Sequence, residues 1–270
     1  MKTCIIFGNC QCSGIRKFLE FSNFYEEYQI YQYANWELIQ NDTMTIPIHQ
    51  LKNADLIIYQ PLSDVYNCYS TNKSSPNSFF NLLSEDCNTI SFPRIHNNAI
   101  FPVFHKHRPQ TSLYGNIKNL PSSMNELLYM YDNNLLDFDF NNRMLHNYTI
   151  SKEKEENCNI KIIDFMCDNI KKEKLFLTHE HPTSFVFNKI TSDICNILEL
   201  EYDYEKGLKQ KENITGLPDS VYLNKNCQYP ISRYSINHFG FEYIRTEDTI
   251  ANTFYRNIIQ DYFIKTKHSV

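Results

Sequence analysis

Five short apolar runs recur along the first 180 residues, and helical or loop segments separate them. Each run is nearly continuous in its apolar centre, which is typical of strands that are covered on both faces by crossover helices. The pattern therefore predicts an α/β fold in which helices flank a parallel sheet. The runs cover Cys4 to Phe7, Gln29 to Tyr33, Asp55 to Gln60, Asn88 to Phe92 and Lys174 to Thr178.

Four other segments are predicted to be helical: Ser123 to Leu136, Cys158 to Lys171, Ser184 to Leu200 and Thr246 to Lys265. Residues 202–243 are polar, aromatic and turn-rich, with no clear period. We therefore predict an α/β domain over residues 1–200 that carries the catalytic groups, and a C-terminal helical elaboration over residues 201–270 packed on the same domain.

Charge and composition exclude several classes of function. A net charge of −5 and a pI near 6.0 argue against a phosphate-coating surface, so nucleic acid is not expected as a partner. The apolar runs fall far short of the roughly 20 residues that span a bilayer, so no membrane insertion is expected. Nine cysteines without a visible signal peptide indicate reduced thiols. We expect a cytoplasmic protein, in the host cytoplasm if the chain is viral.

The first run ends in the turn Gly8-Asn9-Cys10-Gln11, and a stretch with helical apolar spacing follows. Cys10 therefore lies at a strand-to-helix turn, where unpaired N–H groups and the helix dipole bind anions and lower the pKa of a thiol. Gly8 allows another molecule to approach the backbone closely. The alternative interpretation is that Cys10 is one of several small buried apolar cysteines. On spacing alone, both interpretations stay open.

Polar residues also follow three later strands: Gln60, Arg94 and the segment from His179 to Thr183. Ligands of parallel sheets bind beyond the carboxyl ends of the strands, so these strand ends and the Cys10 turn are expected to form one site. Pro182 holds the preceding His181 in extended geometry, which suits a base beside a cysteine. The alternative is a histidine satisfied by local capping bonds.

Two further clusters of metal-binding or charged residues have competing interpretations. Zinc held by Cys10, Cys12, His179 and His181 is disfavoured because a single residue separates the two cysteines, so no metal is expected. The basic cluster His105, Lys106, His107 and Arg108 could hold a diphosphate. Its alternative interpretation is an exposed loop with solvated charges.

Four motifs in order resemble the WcbI-type polysaccharide biosynthesis family. They are Gly8-Asn9-Cys10-Gln11, Asp55 to Pro61, Phe92-Pro93-Arg94, and Leu175 to Thr178 with His181-Pro182-Thr183. The resemblance covers roughly the first 190 residues, and the same layout distantly resembles the three-layer SGNH hydrolases. The resemblance implies transfer of an acetyl group from acetyl-coenzyme A to a hydroxyl or amine of a nucleotide sugar or a surface-glycan precursor, such as that of a capsule.

The resemblance also implies roles for individual residues. Cys10 is expected to be catalytic, with His181 or its neighbour His179 as the base. Oxyanion or substrate contacts are expected from Gly8, Asn9, Gln11, Gln60 and Arg94. Independently of the family motifs, the basic cluster of His105, Lys106, His107 and Arg108 is the candidate site for the phosphates of coenzyme A or of a nucleotide, and Arg16 is a further candidate. Cys10 either carries the acetyl group or only lines the oxyanion site during direct transfer.

Two other functions compete with the transferase. One is an SGNH-like esterase or deacetylase that uses Cys10 as its nucleophile and needs no coenzyme A. The other is a non-catalytic glycan-binding module, which the 14% aromatic content would suit. The sequence leaves open a homodimer, and it leaves open a chain that is one piece of a larger sugar-modifying protein.

Overall fold

A four-stranded parallel sheet forms the centre of the fold and confirms the predicted α/β class. The computed structural model describes residues 1–40, 44–105, 108–109, 117–210, 229–244 and 249–268. The sheet order is β2-β1-β3-β4, and β1 pairs with both β2 and β3. Its strands are β1 (Lys2–Gly8), β2 (Tyr28–Ala34), β3 (Leu56–Tyr59) and β4 (Asn88–Ser91).

Helices flank this sheet and form most of the remaining regular structure. Short 3-10 segments lie at Leu19–Phe21, Asp64–Tyr69 and Phe79–Leu82, and the second of these is kinked at Asn67. Two short strand pairs are β5 (Phe104–His105) with β6 (Arg108–Pro109), and β7 (Phe176–Thr178) with β8 (His181–Pro182). The helices are α1 (Gln11–Phe18), α2 (Phe24–Glu27), α3 (Asn35–Leu38), α4 (Ile48–Lys52), α5 (Met124–Asp132), α6 (Phe140–Glu155), α7 (Ile163–Asn169), α8 (Ser184–Ile197), α9 (Tyr204–Lys209), α10 (Arg233–Phe239) and α11 (Thr249–His268).

The chain divides into two compact units that are built from interleaved segments. Unit 1 comprises the described residues of Met1–Ile95, Ser151–Met166 and Pro182–Lys225. Unit 2 comprises those of His96–Ile150, Cys167–His181 and Asn226–Val270. The domain boundary predicted at residue 200 stays a prediction.

Unit 1 is organised around strand β1, which is buried from Cys4 to Gly8. Alternate residues of β1 point to opposite faces, and Ile5 and Phe7 pack into one apolar cluster with Ile57 and Phe79. Helix α1 packs against α8 so closely that a Cβ on Gly14 would lie 2.5 Å from the ring of Phe187. The packing of β1 and of α1 fixes the position of the turn that joins them.

Unit 2 is mainly helical, and aromatic side chains with hydrogen-bonded hydroxyl groups hold its segments together. The Tyr131 hydroxyl donates to the carbonyl of Asn252 at 3.0 Å, and the Tyr255 hydroxyl donates to that of Pro230 at 2.8 Å. The Ser235 hydroxyl donates to the carbonyl of Ile100 at 2.9 Å. Buried hydroxyl groups require hydrogen-bond partners, so these contacts also fix the positions of the joined segments of unit 2 relative to one another.

The fifth predicted strand forms, but the prediction that it joins the same parallel sheet as the other four is wrong. Within the described residues, β7 pairs with β8 in a separate two-stranded sheet. The connection between them is only His179-Glu180, which is long enough for a hairpin and far too short for a parallel crossover. The chain therefore reverses at the two histidines.

Two helical segments also differ from the prediction. Helix α6 was not predicted, and α7 begins at Ile163 rather than near Cys158. The residues before α7 extend beside β4 instead, because Asn159 Oδ1 accepts hydrogen bonds from the Ser91 N–H and hydroxyl at 2.8 Å each. Of the predicted C-terminal elaboration, the described part after residue 201 is helical in α9, α10 and α11. In the described ranges, no helix has the length and apolar character needed to cross a membrane.

Candidate active site

Cys10 lies at the N-cap position of α1, two residues after the end of β1. Its side chain is partly exposed, whereas the preceding Gly8 and the following Gln11 are buried. The turn closes through backbone hydrogen bonds, from Cys12 N to the Asn9 carbonyl at 3.0 Å and from Ser13 N to the Cys10 carbonyl at 3.2 Å. We call residues Gly8–Gln11 the Cys10 turn. The predicted strand-to-helix position of the cysteine is confirmed.

A network of two buried glutamines holds the Cys10 turn in place. Gln60 Oε1 accepts from the Asn9 N–H at 2.9 Å, and Gln60 Nε2 donates to Gln11 Oε1 at 2.9 Å. Gln11 in turn pairs with both backbone groups of Ile95: its Nε2 donates to the carbonyl at 2.6 Å and its Oε1 accepts from the N–H at 3.2 Å. The network therefore ties together the chain segments that follow β1, β3 and β4.

These contacts give the two glutamines a positioning role. Gln11 is 1% exposed and Gln60 is 3% exposed, so both amides are removed from water. A buried amide network of this kind is stable only when its members are satisfied, and it then specifies one geometry. The predicted substrate contacts of Gln11 and Gln60 stay predictions.

Asn9 supplies a side-chain N–H donor that the Cys10 turn itself does not use. Its Oδ1 accepts from the Gln11 N–H at 2.9 Å, which assigns the other end of the amide as Nδ2. Among the described residues, Nδ2 has no hydrogen-bond acceptor. The Asn9 amide is therefore available to donate to a group bound next to Cys10.

Gly8 is required by close packing rather than by an unusual backbone conformation. A Cβ at this position would lie 2.7 Å from Cys12 Sγ and 2.9 Å from Gln60 Oε1. Any side chain would push against the buried network, so the turn has no room for a larger residue here.

Cys12 is separated chemically from Cys10 by its burial. It is fully buried, and this burial raises the pKa of its thiol well above the ordinary range, with a smaller contribution from the nearby Cys10. Because the thiolate is the nucleophile, Cys12 is held in an unreactive form. Of the two thiols in the motif, Cys10 is the one that reaches the surface.

The two histidines lie in unit 2, at the hairpin between β7 and β8. His181 Nδ1 lies 2.8 Å from the Thr178 hydroxyl, and burial lowers the pKa of His181 below its usual value, with Glu180 opposing the shift. The ring therefore stays neutral near pH 7, as a base must.

His179 is more deeply enclosed than His181. It is 4% exposed, and its ring stacks on Tyr229 with centroids 6.0 Å apart. Its carbonyl accepts from the Asn97 N–H at 2.7 Å. These packing contacts favour His181 over His179 as the base. The pairing of either histidine with Cys10 stays a prediction, because cysteine and histidines belong to different units.

The predicted basic residues are divided among several locations. Arg94 follows β4 and is half-buried. Its positive charge acts on the nearby Lys154, whose pKa is lowered first by partial burial and then by the charge of Arg94. Arg16 is exposed in the last turn of α1.

The backbones of His105 and Arg108 pair in the β5–β6 hairpin. Lys106 and His107 lie outside the described residues. Binding of coenzyme A phosphates by these four residues or by Arg16 stays a prediction. In the part of the chain that the structure describes, no group of three or more His, Cys, Asp or Glu residues is placed to hold a metal.

Two parts of the site were missed from the sequence: the backbone groups of Ile95 and the Thr178 hydroxyl. Ile95 carries no signal in its side chain, since only its N–H and carbonyl take part. Thr178 does carry a signal in the sequence. A hydroxyl three residues before a histidine can reach the imidazole ring when a two-residue turn separates the two residues.

Comparisons with known proteins agree with this arrangement of strand, turn and helix. A protein-family model described as "Polysaccharide biosynthesis enzyme WcbI" matches residues 3–203. A solved structure of WcbI, described as "a novel polysaccharide biosynthesis enzyme", is similar over 100% of this chain and 91% of that one. The TM-score is 0.67 and the sequence identity is 15%.

That structure is described as native protein without a disulfide bond between coenzyme A and a cysteine. No curated protein sequence matches this chain. The family match extends over most of the chain and includes the Cys10 turn, Gln60 and the β7–β8 hairpin. The chain therefore belongs to the WcbI family of polysaccharide biosynthesis enzymes.

Proposed function

We propose that this chain is an acyltransferase that moves an acetyl group from acetyl-coenzyme A to a hydroxyl or amine of a sugar. The observation that carries the proposal is the Cys10 turn: a partly exposed thiol at a helix N-terminus, on a backbone that a buried glutamine network holds fixed. The acceptor we propose is a nucleotide sugar or a glycan precursor, in keeping with a family of polysaccharide biosynthesis enzymes.

The solved relative supports a coenzyme A site beside the cysteine. Its description names coenzyme A and a cysteine together, as two groups that are not joined by a disulfide bond in that structure. A disulfide bond is considered only where two sulfur atoms can approach to about 2 Å, so the description is in keeping with coenzyme A bound next to that cysteine. We carry this arrangement over to Cys10, which would place the thioester of acetyl-coenzyme A at the Cys10 turn.

Charge that develops on the thioester oxygen requires donors at this position. The Asn9 Nδ2 group is one proposed donor, because its oxygen is fixed by the Gln11 N–H and its nitrogen has no acceptor among the described residues. Donors that are already oriented stabilise the oxyanion without a reorganisation cost. Arg94 and Lys154 are proposed to favour an anionic portion of the donor, since a bound phosphate would relieve their mutual repulsion.

His181 is proposed as the base that activates the acceptor. In the tautomer that carries a proton on Nδ1, the ring donates to the Thr178 hydroxyl and leaves the Nε2 lone pair to accept the proton. The acceptor oxygen or nitrogen then attacks the carbonyl carbon. The carbon–sulfur bond breaks, and the leaving coenzyme A thiolate takes the proton back from the imidazolium.

Two routes share these groups. In direct transfer, Cys10 lines the oxyanion site. In the covalent route, the Cys10 thiolate first takes the acetyl group and releases coenzyme A thiolate, and the acceptor then displaces Cys10. The covalent route exchanges one thioester for another of similar energy, so it gains little. We therefore propose direct transfer, with ping-pong kinetics as the result that would favour the other route.

The proposal is tested by thermal unfolding of the purified chain with coenzyme A, acetyl-coenzyme A, UDP or no ligand. A ligand at about 100 times its Kd adds about 2.7 kcal/mol, which is roughly 5–10 °C in a chain of this size. We expect this shift with both coenzyme A forms in the wild type. Cys10→Ala should change the shift, and the surface variant Cys167→Ala should leave it unchanged. No shift at millimolar coenzyme A contradicts the proposal and favours an esterase, for which model esters are the next substrates.

A further inference from the structure

A second candidate binding site lies entirely within unit 2. A cavity of about 590 Å³ is bounded by Asn134, by residues 136–141, by Lys118 and by one side of α10. Its volume falls in the range of small-molecule sites, about 300–1,000 Å³. We call it the unit 2 pocket. No residue assigned above to acyl transfer lines it.

Aromatic side chains form the apolar side of the unit 2 pocket. Phe138, Phe140 and Tyr234 are each at least nine-tenths buried, and the rings of Phe138 and Tyr234 meet edge-on with centroids 5.0 Å apart. The imidazole of His238 lies over Phe140 at 4.9 Å. The Tyr234 hydroxyl is already bound to main-chain carbonyls of α5, so this side presents mostly ring carbon atoms.

Side-chain amides form the polar side of the pocket. In the described ranges, the amides of Asn134 and Asn237 make no hydrogen bond, and both side chains are exposed. Among the residues that the structure describes, Asn141 uses only its Oδ1, which lies 3.1 Å from His238 Nε2. Each amide offers an acceptor and two donors, so together they match groups that both donate and accept, as hydroxyl groups do.

The charges around the pocket disfavour an anionic ligand. Lys118 is neutralised by Asp139, whose Oδ1 lies 2.8 Å from the Lys118 Nζ. Asp137 adds a second carboxylate, of which one oxygen accepts from the Asp139 N–H at 2.8 Å. With one ion pair and one extra carboxylate, the lining would repel a phosphate, so a nucleoside diphosphate or coenzyme A does not fit its chemistry.

The pocket is also held in shape before any ligand binds. Asp139 has a left-handed backbone (φ 53°), and its carboxylate accepts from Asn142 Nδ2 at 2.9 Å as well as from Lys118. Asn134 is left-handed too (φ 57°). Such residues persist only where the surrounding contacts over-determine them, and a fixed lining lowers the ordering cost of binding.

We infer that the unit 2 pocket binds an uncharged saccharide of one or two rings. A sugar ring has hydroxyl groups around its edge and C–H groups on its faces, and the pocket is lined both by side-chain amides and by the exposed edges of aromatic rings. The inference does not depend on the Cys10 chemistry. It concerns a different set of residues from those proposed to bind coenzyme A.

The test is calorimetric titration of the full chain with glucose, galactose, N-acetylglucosamine and maltose, with UDP as an anionic comparison. At least one of the four saccharides should bind saturably, and UDP should not compete with it. Loss of one or two hydrogen bonds should weaken that saccharide about fivefold to thirtyfold in Asn237→Ala and in His238→Ala. The matched surface variants Asn157→Ala and His146→Ala, which lie outside the pocket, should bind as the wild type does.

A second measurement separates this inference from the proposed function. The coenzyme A stabilisation of Asn237→Ala should equal that of the wild type, so either result can fail without the other. Absence of saturable binding by all four saccharides overturns the inference. So does an affinity that Asn237→Ala and His238→Ala both leave unchanged while circular dichroism shows them folded.

Discussion

Replacement of Gln11 by methionine tests whether the buried amide network holds the Cys10 turn. Methionine has nearly the same length and volume, so the change removes the amide with little change in packing. Three buried groups then lose a partner: the N–H and carbonyl of Ile95 and the Nε2 of Gln60. At about 1–2 kcal/mol for each unsatisfied group, we expect a loss of roughly 3–6 kcal/mol of the free energy of unfolding. That is a large share of the 5–15 kcal/mol typical of folded proteins.

The assay is urea unfolding followed by the fluorescence of Trp36. This is the single tryptophan of the chain and it lies in unit 1, so it reports on the unit that contains the network. With a slope of about 2–3 kcal/mol per molar urea, the midpoint should fall by roughly 1–3 M. Gln29→Met, on an exposed position of β2, is the matched control and should change the midpoint little. If Gln11→Met lost no more stability than Gln29→Met, the network would not be what holds the turn.

Three further predictions concern single residues around the two candidate catalytic groups. Gly8→Ala should cost about 1–3 kcal/mol of unfolding free energy by calorimetry, because its Cβ would lie 2.7 Å from Cys12 Sγ; an unchanged melting temperature would show that the turn has spare room. Iodoacetamide should modify Cys10 well before Cys12 in the folded protein, as measured by peptide mass spectrometry, because burial raises the pKa of Cys12; equal rates would contradict the assigned roles. The pKa of His181 is lower in the folded chain than in the unfolded chain. Between that lowered pKa and about 6.5 the unfolded chain therefore binds more protons. The free energy of unfolding falls as the pH drops through this window. His181→Gln should therefore flatten the pH dependence of urea unfolding below pH 6.5, and an unchanged slope would refute the shift.

The central sheet could be predicted mainly because its inner strands β1 and β3 are buried on both faces over most of their length. Continuous apolar runs such as Cys4 to Phe7 occur where no position of a strand faces water. All five runs form strands within a residue or two of the predicted bounds, and four of them lie in the central sheet. Helix α6 could not be predicted in this way. Its sequence, from Phe140 to Glu155, is polar on most sides and has no clear apolar stripe, so its formation depends on the residues packed around it.

Positions in the candidate site could be predicted, but their interactions could not. The rule that ligands bind beyond strand ends was sufficient to select Cys10, Gln11 and Gln60. The sequence does not distinguish a glutamine that contacts substrate from one that binds the backbone of Ile95, because that backbone is 84 residues away along the chain. The pairing of β7 with β8 could not be predicted either, because an apolar run has the same sequence pattern in a hairpin and in a parallel sheet.

Coenzyme A release from acetyl-coenzyme A, measured by chromatography with and without a panel of sugars and nucleotide sugars, tests the proposed transferase most directly. Chromatography avoids thiol reagents, which would react with the protein's own cysteines. We expect release that depends on one acceptor and is accompanied by its acetylated product. We also expect the rate to fall at least about 100-fold in His181→Gln, the usual effect of removing a general base. Release that needs no sugar, or that His181→Gln and Cys10→Ala both leave at the wild-type rate, would contradict the proposed chemistry.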